Sequence, residues 1–152
     1  MPEIRKIELT DEAAAQLIRL SEIWAAEGST FGLRPNTRED LQEPVFAALE
    51  GDRIVGYAFG HFYTTERKTS CIELGSRCFD LDELFVLPEY RSRGVGRGLF
   101  EAIEREAMDK AEYLTLSTAT KDYKRILKFY IEDGGMFFHD AFLIKQFREH
   151  NE

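Results

Sequence analysis

Residues 82–99 read Asp82-Glu83-Leu84-Phe85-Val86-Leu87-Pro88-Glu89-Tyr90-Arg91-Ser92-Arg93-Gly94-Val95-Gly96-Arg97-Gly98-Leu99, and their pattern decides the fold. Residues 79–87 are the most strand-like run of the chain, and Pro88 stops them. Past a polar, glycine-rich turn, Val95, Leu99, Ile103 and Ala107 recur at helical spacing over residues 94–110. A buried strand therefore leads through a glycine turn into an amphipathic helix. The first N–H groups of such a helix lack helical partners and sit at the positive end of its dipole, which makes an anion site. Gly94, Gly96 and Gly98 let an anion approach the main chain with no Cβ in the way. Arg91, Arg93 and Arg97 add three positive charges with no acid between them. A pyrophosphate suits this arrangement. It is neither a dinucleotide fingerprint, since Leu99 stands where the last glycine is required, nor a Walker A loop, which needs G-x-x-x-x-G-K-[ST].

Working outward, the 152 residues suit one domain, 1–152, with 43% hydrophobic and 32% charged residues. Twenty Lys and Arg against 28 Asp and Glu leave −8. That balance argues against a nucleic-acid partner, because phosphate neutralisation needs clustered bases, and it admits a cationic substrate. No window approaches 18 uninterrupted apolar residues and the first 30 hold no signal core, so the expectation is a cytoplasmic protein without a membrane partner. Cys71 and Cys78 are not spaced C-x-x-C, and His61, His139 and His150 make no ligand pair at helical spacing. No disulfide and no metal is expected.

A strand is expected over 4–9 and a helix from a Thr10 cap to about Glu27, with Ala14, Leu17, Ile18 and Trp24 on its apolar stripe. The long connection 28–44 carries two glycines, two prolines and at most one helical turn near 38–42. Strands 45–49 and 53–63 flank the hairpin turn Gly51-Asp52. Residues 64–76 read as loop, 113–117 as strand, and 121–132 as a helix ended by Gly134-Gly135. Residues 136–147 are strand-rich, as one strand or as a hairpin turned at His139-Asp140. The order predicts a mixed α/β sheet with helices on both faces.

Arg91-x-x-Gly94-x-Gly96 between such a strand and such a helix resembles the coenzyme A motif of the GNAT acetyltransferase superfamily. Ile54-Val55-Gly56-Tyr57-Ala58 is similar to that family's third strand. Phe129-Tyr130 with Gly134 is similar to its Phe-Tyr segment, 39 residues beyond Arg91. The resemblance covers nearly the whole chain and implies a GNAT-like fold with a central mixed, mostly antiparallel sheet. It implies an N-acetyltransferase that moves acetyl from acetyl-CoA, as cosubstrate, to a primary amine by direct attack in a ternary complex. The acceptor would be a small, cationic molecule, with polyamine-acetylating members the nearest pattern. A protein lysine or N-terminal acetyltransferase and a non-catalytic acyl-CoA-binding module are the alternatives.

The resemblance also distributes roles. Backbone groups of Leu84, Phe85 and Val86 would bond the pantetheine arm, in a splay between the fourth strand and the fifth, which ends at Ser117. The amides of Ser92, Arg93, Gly94, Val95, Gly96 and Arg97 would hold the pyrophosphate, with Arg91 and Gly98 completing the loop. Lys121, Lys124, Arg125 and Lys128 form a second basic cluster, Lys124 being the candidate for the outer phosphate. Tyr130 stands at the place of the acid that protonates the leaving thiolate. Asp82 is the candidate base and Glu83 an amine-binding partner, a water-relayed transfer being equally consistent. Strand alternation aims only one of the two at the amine unless a bulge intervenes. His61, on the strand face of Tyr57, Phe59 and Tyr63, is a rival base.

Two features depart from the family pattern. Tyr123 stands where many members have an asparagine, and only 17 residues follow Gly135, where two closing strands are usual. An uncovered terminal edge invites a second copy, so a homodimer is expected. Residues 91–97 carry +3 and residues 121–128 a net +3, leaving −14 on the other 137 residues. That contrast places an anionic cosubstrate on basic islands and a cationic amine on the acidic side.

Overall fold

The computed structural model describes residues 1–150. Strand β1 (Glu3–Ile7) leads to helix α1 (Asp11–Glu27). Thr10 caps α1 by accepting the Ala13 N–H at 3.1 Å, with Asp11 and Glu12 at the positive end of the dipole and Gly28 closing the last turn. A single 3₁₀ turn, Arg38–Asp40, interrupts the long connection that follows. Strands β2 (Val45–Glu50) and β3 (Arg53–Thr64) form the hairpin, with Glu50 opposite Arg53 across the two-residue turn. After a loop come β4 (Arg77–Val86), α2 (Val95–Met108), β5 (Tyr113–Thr115) and α3 (Tyr123–Lys128). The last helix widens into a π turn over Phe129–Asp133.

The five strands lie in sequence order, antiparallel except for the parallel pair β4–β5. The helices cover both faces. Trp24 of α1 stacks on Phe85 at 5.2 Å, whereas α2 packs on the other face, its Leu99 Cδ1 within 3.3 Å of where a Cβ on Gly56 would stand. Val95, Leu99, Ile103 and Ala107 are all buried, as their spacing predicts. On α1, Ala14 and Leu17 are buried, while Ile18 and Trp24 pack on the core from its margin. Cys78 is buried and Cys71 exposed, and both are free.

The C-terminal expectation is corrected. Residues 136–150 form neither one strand nor a hairpin. Their one main-chain hydrogen bond runs from the Met136 N–H to the Tyr130 carbonyl at 3.0 Å. Aromatic and branched side chains favour a strand only when they pair with one, and this segment does not pair with the free edge of β5. The expected fifth strand is also short. It pairs with β4 only at Cys78, Phe79 and Asp80, and residues 81–86 run on beside β3 with no strand on the β5 side. That opening is the expected splay. No helix among the described residues is long and apolar enough to cross a membrane.

Candidate active site

Strand β4 carries the site, and a bulge shapes it. Phe59 pairs with Glu83 and Gly60 with Leu81, so Asp82 is an extra residue with no partner of its own. Regular alternation would send Asp82 and Glu83 to opposite faces. The extra residue resets the alternation, and both carboxylates line one open pocket of about 310 Å³ with Asn36, Asp40 and Phe59.

Each carboxylate is held by residues far away in sequence. Glu83 accepts the Tyr57 hydroxyl at 2.7 Å and the Asn36 amide at 2.9 Å. Asn36 is delivered by the long connection, whose own N–H donates to the Ser21 hydroxyl on α1 at 2.9 Å. Asp82 meets His61 Nδ1 at 2.8 Å. Asp80 accepts the Thr115 hydroxyl at 2.7 Å, and with His61 and Asp82 brings three ligand-type atoms within 4.8 Å of one another. The spacing of these residues in the sequence does not show that cluster.

Burial raises the pKa of both carboxyls. For Asp82 it outweighs the hydrogen bond and charge of His61. For Glu83 it outweighs the hydrogen bonds from Tyr57 and Asn36. Tyr57 is pushed well above its usual range by burial, then by the charge of Glu83. Asp40 goes the other way, held down by hydrogen bonds from Thr37. A pocket with three carboxylates and Arg34 as its one lining cation favours a cationic guest.

At the other end of β4 the backbone dominates. Ser92 (φ 63°) and Gly94 (φ 82°) both take left-handed conformations, with Arg93 between them. Such alternation turns successive N–H groups toward a common point, an anion-binding nest. Ser92 is the one described non-glycine residue at positive φ, a conformation costing roughly 1–2 kcal/mol. The first α2 bond links the Gly98 N–H to the Gly94 carbonyl at 3.0 Å, which leaves the amides of residues 95–97 outside the helical ladder.

The arginines divide their labour. Arg91 donates to the Val86 carbonyl at 2.9 Å and to Glu27 at 2.7 Å, and lies over the Phe85 ring. These contacts brace the strand–loop junction. Arg97 pairs with Glu101 at 3.2 Å, an exposed contact that a phosphate could displace, and Arg93 lies over Tyr90. Gly98 has a packing reason for its missing side chain, since a Cβ there would collide with Ile4 of β1. Leu84 and Phe85 lie on the stretch of β4 with no β5 partner.

Tyr130 sits in the π turn, edge-on to Phe100 (5.6 Å) and Phe129 (5.0 Å). Burial alone raises its pKa to about 12, and its hydroxyl makes no hydrogen bond among the described residues. In the second basic cluster Arg125 pairs with Asp122 and Lys128 with Glu132. Lys121 lies over Phe31, while Lys124 and Ser117 are exposed. The long connection is stitched to this region, Phe31 N–H to the Ala119 carbonyl at 3.0 Å and Lys121 N–H to the Ser29 carbonyl at 2.8 Å.

Solved structures with the same fold include several acetyltransferases. An aminoglycoside N-acetyltransferase in complex with CoA aligns over 97% of this chain and 99% of its own, at 20% identity and a TM-score of 0.62. An aminoglycoside acetyltransferase from an uncultured soil metagenomic sample, in complex with sisomicin, aligns over 96% of each chain at 19% identity and 0.67. A ribosomal-protein-alanine N-acetyltransferase from Brucella melitensis aligns over 95% of this chain and 99% of its own, at 17% identity and 0.66. No curated protein sequence matches. The acetyltransferase (GNAT) family model matches residues 5–134, from β1 through the π turn, and the chain belongs to that family.

Proposed function

We propose that the protein transfers the acetyl group of acetyl-CoA to a primary amine of a small, cationic acceptor. The observation that carries this reading is the bulge at Asp82, which gives one pocket two desolvated carboxylates beside the open side of β4. The nest at residues 92–94 and the amides of 95–97 suit the cosubstrate's pyrophosphate, and the side of Leu84 and Phe85 with no β5 partner suits its pantetheine arm.

The acceptor arrives as an ammonium. With a pKa near ~10.4, its neutral form costs about 4–5 kcal/mol to populate at pH 7. Asp40 and Glu83 attract the cation, and Asp82 takes its proton, with His61 at 2.8 Å as the next carrier. The freed lone pair attacks the acetyl carbonyl carbon, a C–N bond forms, and the C–S bond to the cosubstrate breaks. The second proton of the nitrogen passes to solvent, which later reprotonates Tyr130. The departing thiolate takes its proton from the Tyr130 hydroxyl, which a pKa of about 12 keeps protonated at neutral pH. That some similar folds are aminoglycoside acetyltransferases accords with a polycationic acceptor.

A thiol-release assay with acetyl-CoA and a panel of polyamines, diamines, aminoglycosides, neutral amines and peptides tests the proposal. Cationic small amines should turn over best, and Tyr130→Phe should lower that turnover at least ~10-fold while acetyl-CoA still binds. Preference for a peptide would move the acceptor to protein substrates. Acetyl-CoA binding with no turnover of any acceptor would leave a binding module.

A further inference from the structure

Three strands bring a second kind of chemistry together beside the proposed acceptor pocket. Thr115 of β5 lies opposite Asp80 of β4, and Asp80 lies opposite His61 of β3. Asp82 joins this row from two residues further along β4, at the bulge. Ligand-type atoms of His61, Asp80 and Asp82 all lie within 4.8 Å of one another, and all three residues are half-buried. His61 and Asp82 are 21 residues apart in the chain, so only the pairing of β3 with β4 makes them neighbours.

The cluster holds more negative charge than its surroundings balance. His61 Nδ1 meets Asp82 at 2.8 Å, and the Thr115 hydroxyl donates to one oxygen of Asp80 at 2.7 Å. Among the described residues no lysine or arginine pairs with either aspartate. Two carboxylates this close repel each other, more so where water is partly excluded. A dication bound by both of them and by a neutral imidazole would leave the cluster without net charge.

The geometry suits a small ion. Ligand bonds of ~2.0–2.2 Å set neighbouring donor atoms roughly 3.0–3.4 Å apart, so the His61–Asp82 contact needs to open only slightly. Asp80 can turn its other oxygen inward, because the last torsion of an aspartate is broad. Outer support is present, since Thr115 holds Asp80 and the Tyr63 hydroxyl lies 3.0 Å from Thr115. An imidazole nitrogen disfavours magnesium and calcium, which take oxygen donors, and a set without thiolate disfavours copper(I).

We infer that His61, Asp80 and Asp82 bind one divalent transition-metal ion of the zinc class, with water completing its coordination. Its effect on the reaction rests on the proposed function. An ion on Asp82 and His61 would occupy the lone pairs that take and relay the acceptor's proton, and its charge would repel the ammonium. The ion is then a reversible inhibitor, competitive with the acceptor and not with acetyl-CoA.

Equilibrium dialysis of the chelator-stripped full chain against Zn²⁺ should give one bound ion per chain. A Cys71→Ser background removes the exposed thiol as a rival ligand. Asp80→Asn, which keeps an acceptor for Thr115, and His61→Ala should each weaken Zn²⁺ binding at least ~10-fold with unchanged far-ultraviolet circular dichroism. Glu83→Gln, in the pocket but outside the cluster, should leave Zn²⁺ binding intact. Acetylated product, read by mass spectrometry because released CoA thiol itself binds zinc, should fall as Zn²⁺ fills the site. In Asp80→Asn that inhibition, relative to the variant's own metal-free rate, should weaken in step with affinity. Absence of stoichiometric binding would overturn the inference, as would binding indifferent to both Asp80→Asn and His61→Ala. A bound ion that leaves turnover unchanged, or raises it, would overturn the inhibitory role. Failure of the proposed function reads differently: the metal-free chain would acetylate no amine while dialysis still reported the ion.

Discussion

Under the proposed function, the carboxyl end and the middle of β4 meet two recognition problems by different means. At its carboxyl end, anion recognition would rest on main chain: the left-handed pair Ser92 and Gly94, the first amides of α2, and a strand stretch with no β5 partner. At its middle, cation recognition rests on side chains: Asp82 and Glu83 thrown onto one face by a bulge and held by His61, Tyr57 and Asn36. Backbone recognition needs a conformation, which a few consecutive residues can specify. Side-chain recognition at this site needs five residues from three parts of the chain to converge, and it carries a desolvation cost that the backbone end avoids.

The most damaging way to break this contrast is Asp82→Asn. It removes the proposed proton acceptor and leaves residues 92–97 untouched, so kcat should fall ~10²–10⁴-fold with acetyl-CoA affinity unchanged by calorimetry. The pH dependence sharpens the point. Because burial raises the Asp82 pKa, wild-type kcat should begin to fall, on the acid side, at a pH above the ~4 of a free carboxylate. The residual activity of the variant should lack that limb. A variant with wild-type kcat would remove Asp82 from the chemistry and leave the bulge without a catalytic reason.

The backbone end breaks differently. Gly94 sits at φ 82°, and a Cβ there would meet only Met1 Cε at an unstrained 3.9 Å, so Gly94→Ala tests conformation and not fit. The strain of roughly 1–2 kcal/mol should raise KM for acetyl-CoA by about 5–30-fold, with kcat at saturation and acceptor KM little changed. Gly98→Ala is the contrasting variant. Its Cβ would strike Ile4, so it should lower Tm through the β1–α2 packing and leave acetyl-CoA KM alone. Equal effects of the two on KM would merge what the geometry separates.

The same contrast explains what could be read from sequence. The cap at Thr10, the buried stripe of α2, the Gly51-Asp52 turn and the loop of residues 91–97 are local, and local chemistry specifies each. The acidic pocket is not local. Alternation alone offers one of Asp82 and Glu83, because a bulge depends on how Gly60 and Leu81 pair across two strands. Asn36 comes from a connection with no periodicity, and His61 finds Asp82 only once β3 and β4 are in register. The three loop arginines read as free charge, yet Glu27 and Glu101 reach two of them. The segment after Gly135 has strand-forming residues but pairs with no strand, and composition alone cannot say whether a strand former finds a partner.

The smallest effect is the most discriminating. Glu83→Gln keeps an acceptor oxygen for Tyr57 and Asn36 and removes only the charge. Burial holds the folded-state pKa of Glu83 above its ordinary value, so the folded protein binds that proton more tightly than the unfolded chain. The contribution of the group to stability is therefore fully present below the ordinary carboxylate range. It is lost as pH rises through the raised value, and at neutral pH the ionised group is a net burden. Removing the charge should raise Tm at pH 7 by ~1–3 °C, a gain that disappears on acidification below ~4. The acceptor KM should rise about fivefold, since an attraction of about 1 kcal/mol for the ammonium is gone, while acetyl-CoA KM stays put. Thermal unfolding across pH, paired with acceptor titrations, reads both. A lower Tm with an unchanged acceptor KM would make Glu83 a brace for Tyr57 and Asn36, and the side-chain end of β4 would then recognise its guest through Asp40 and Asp82 alone.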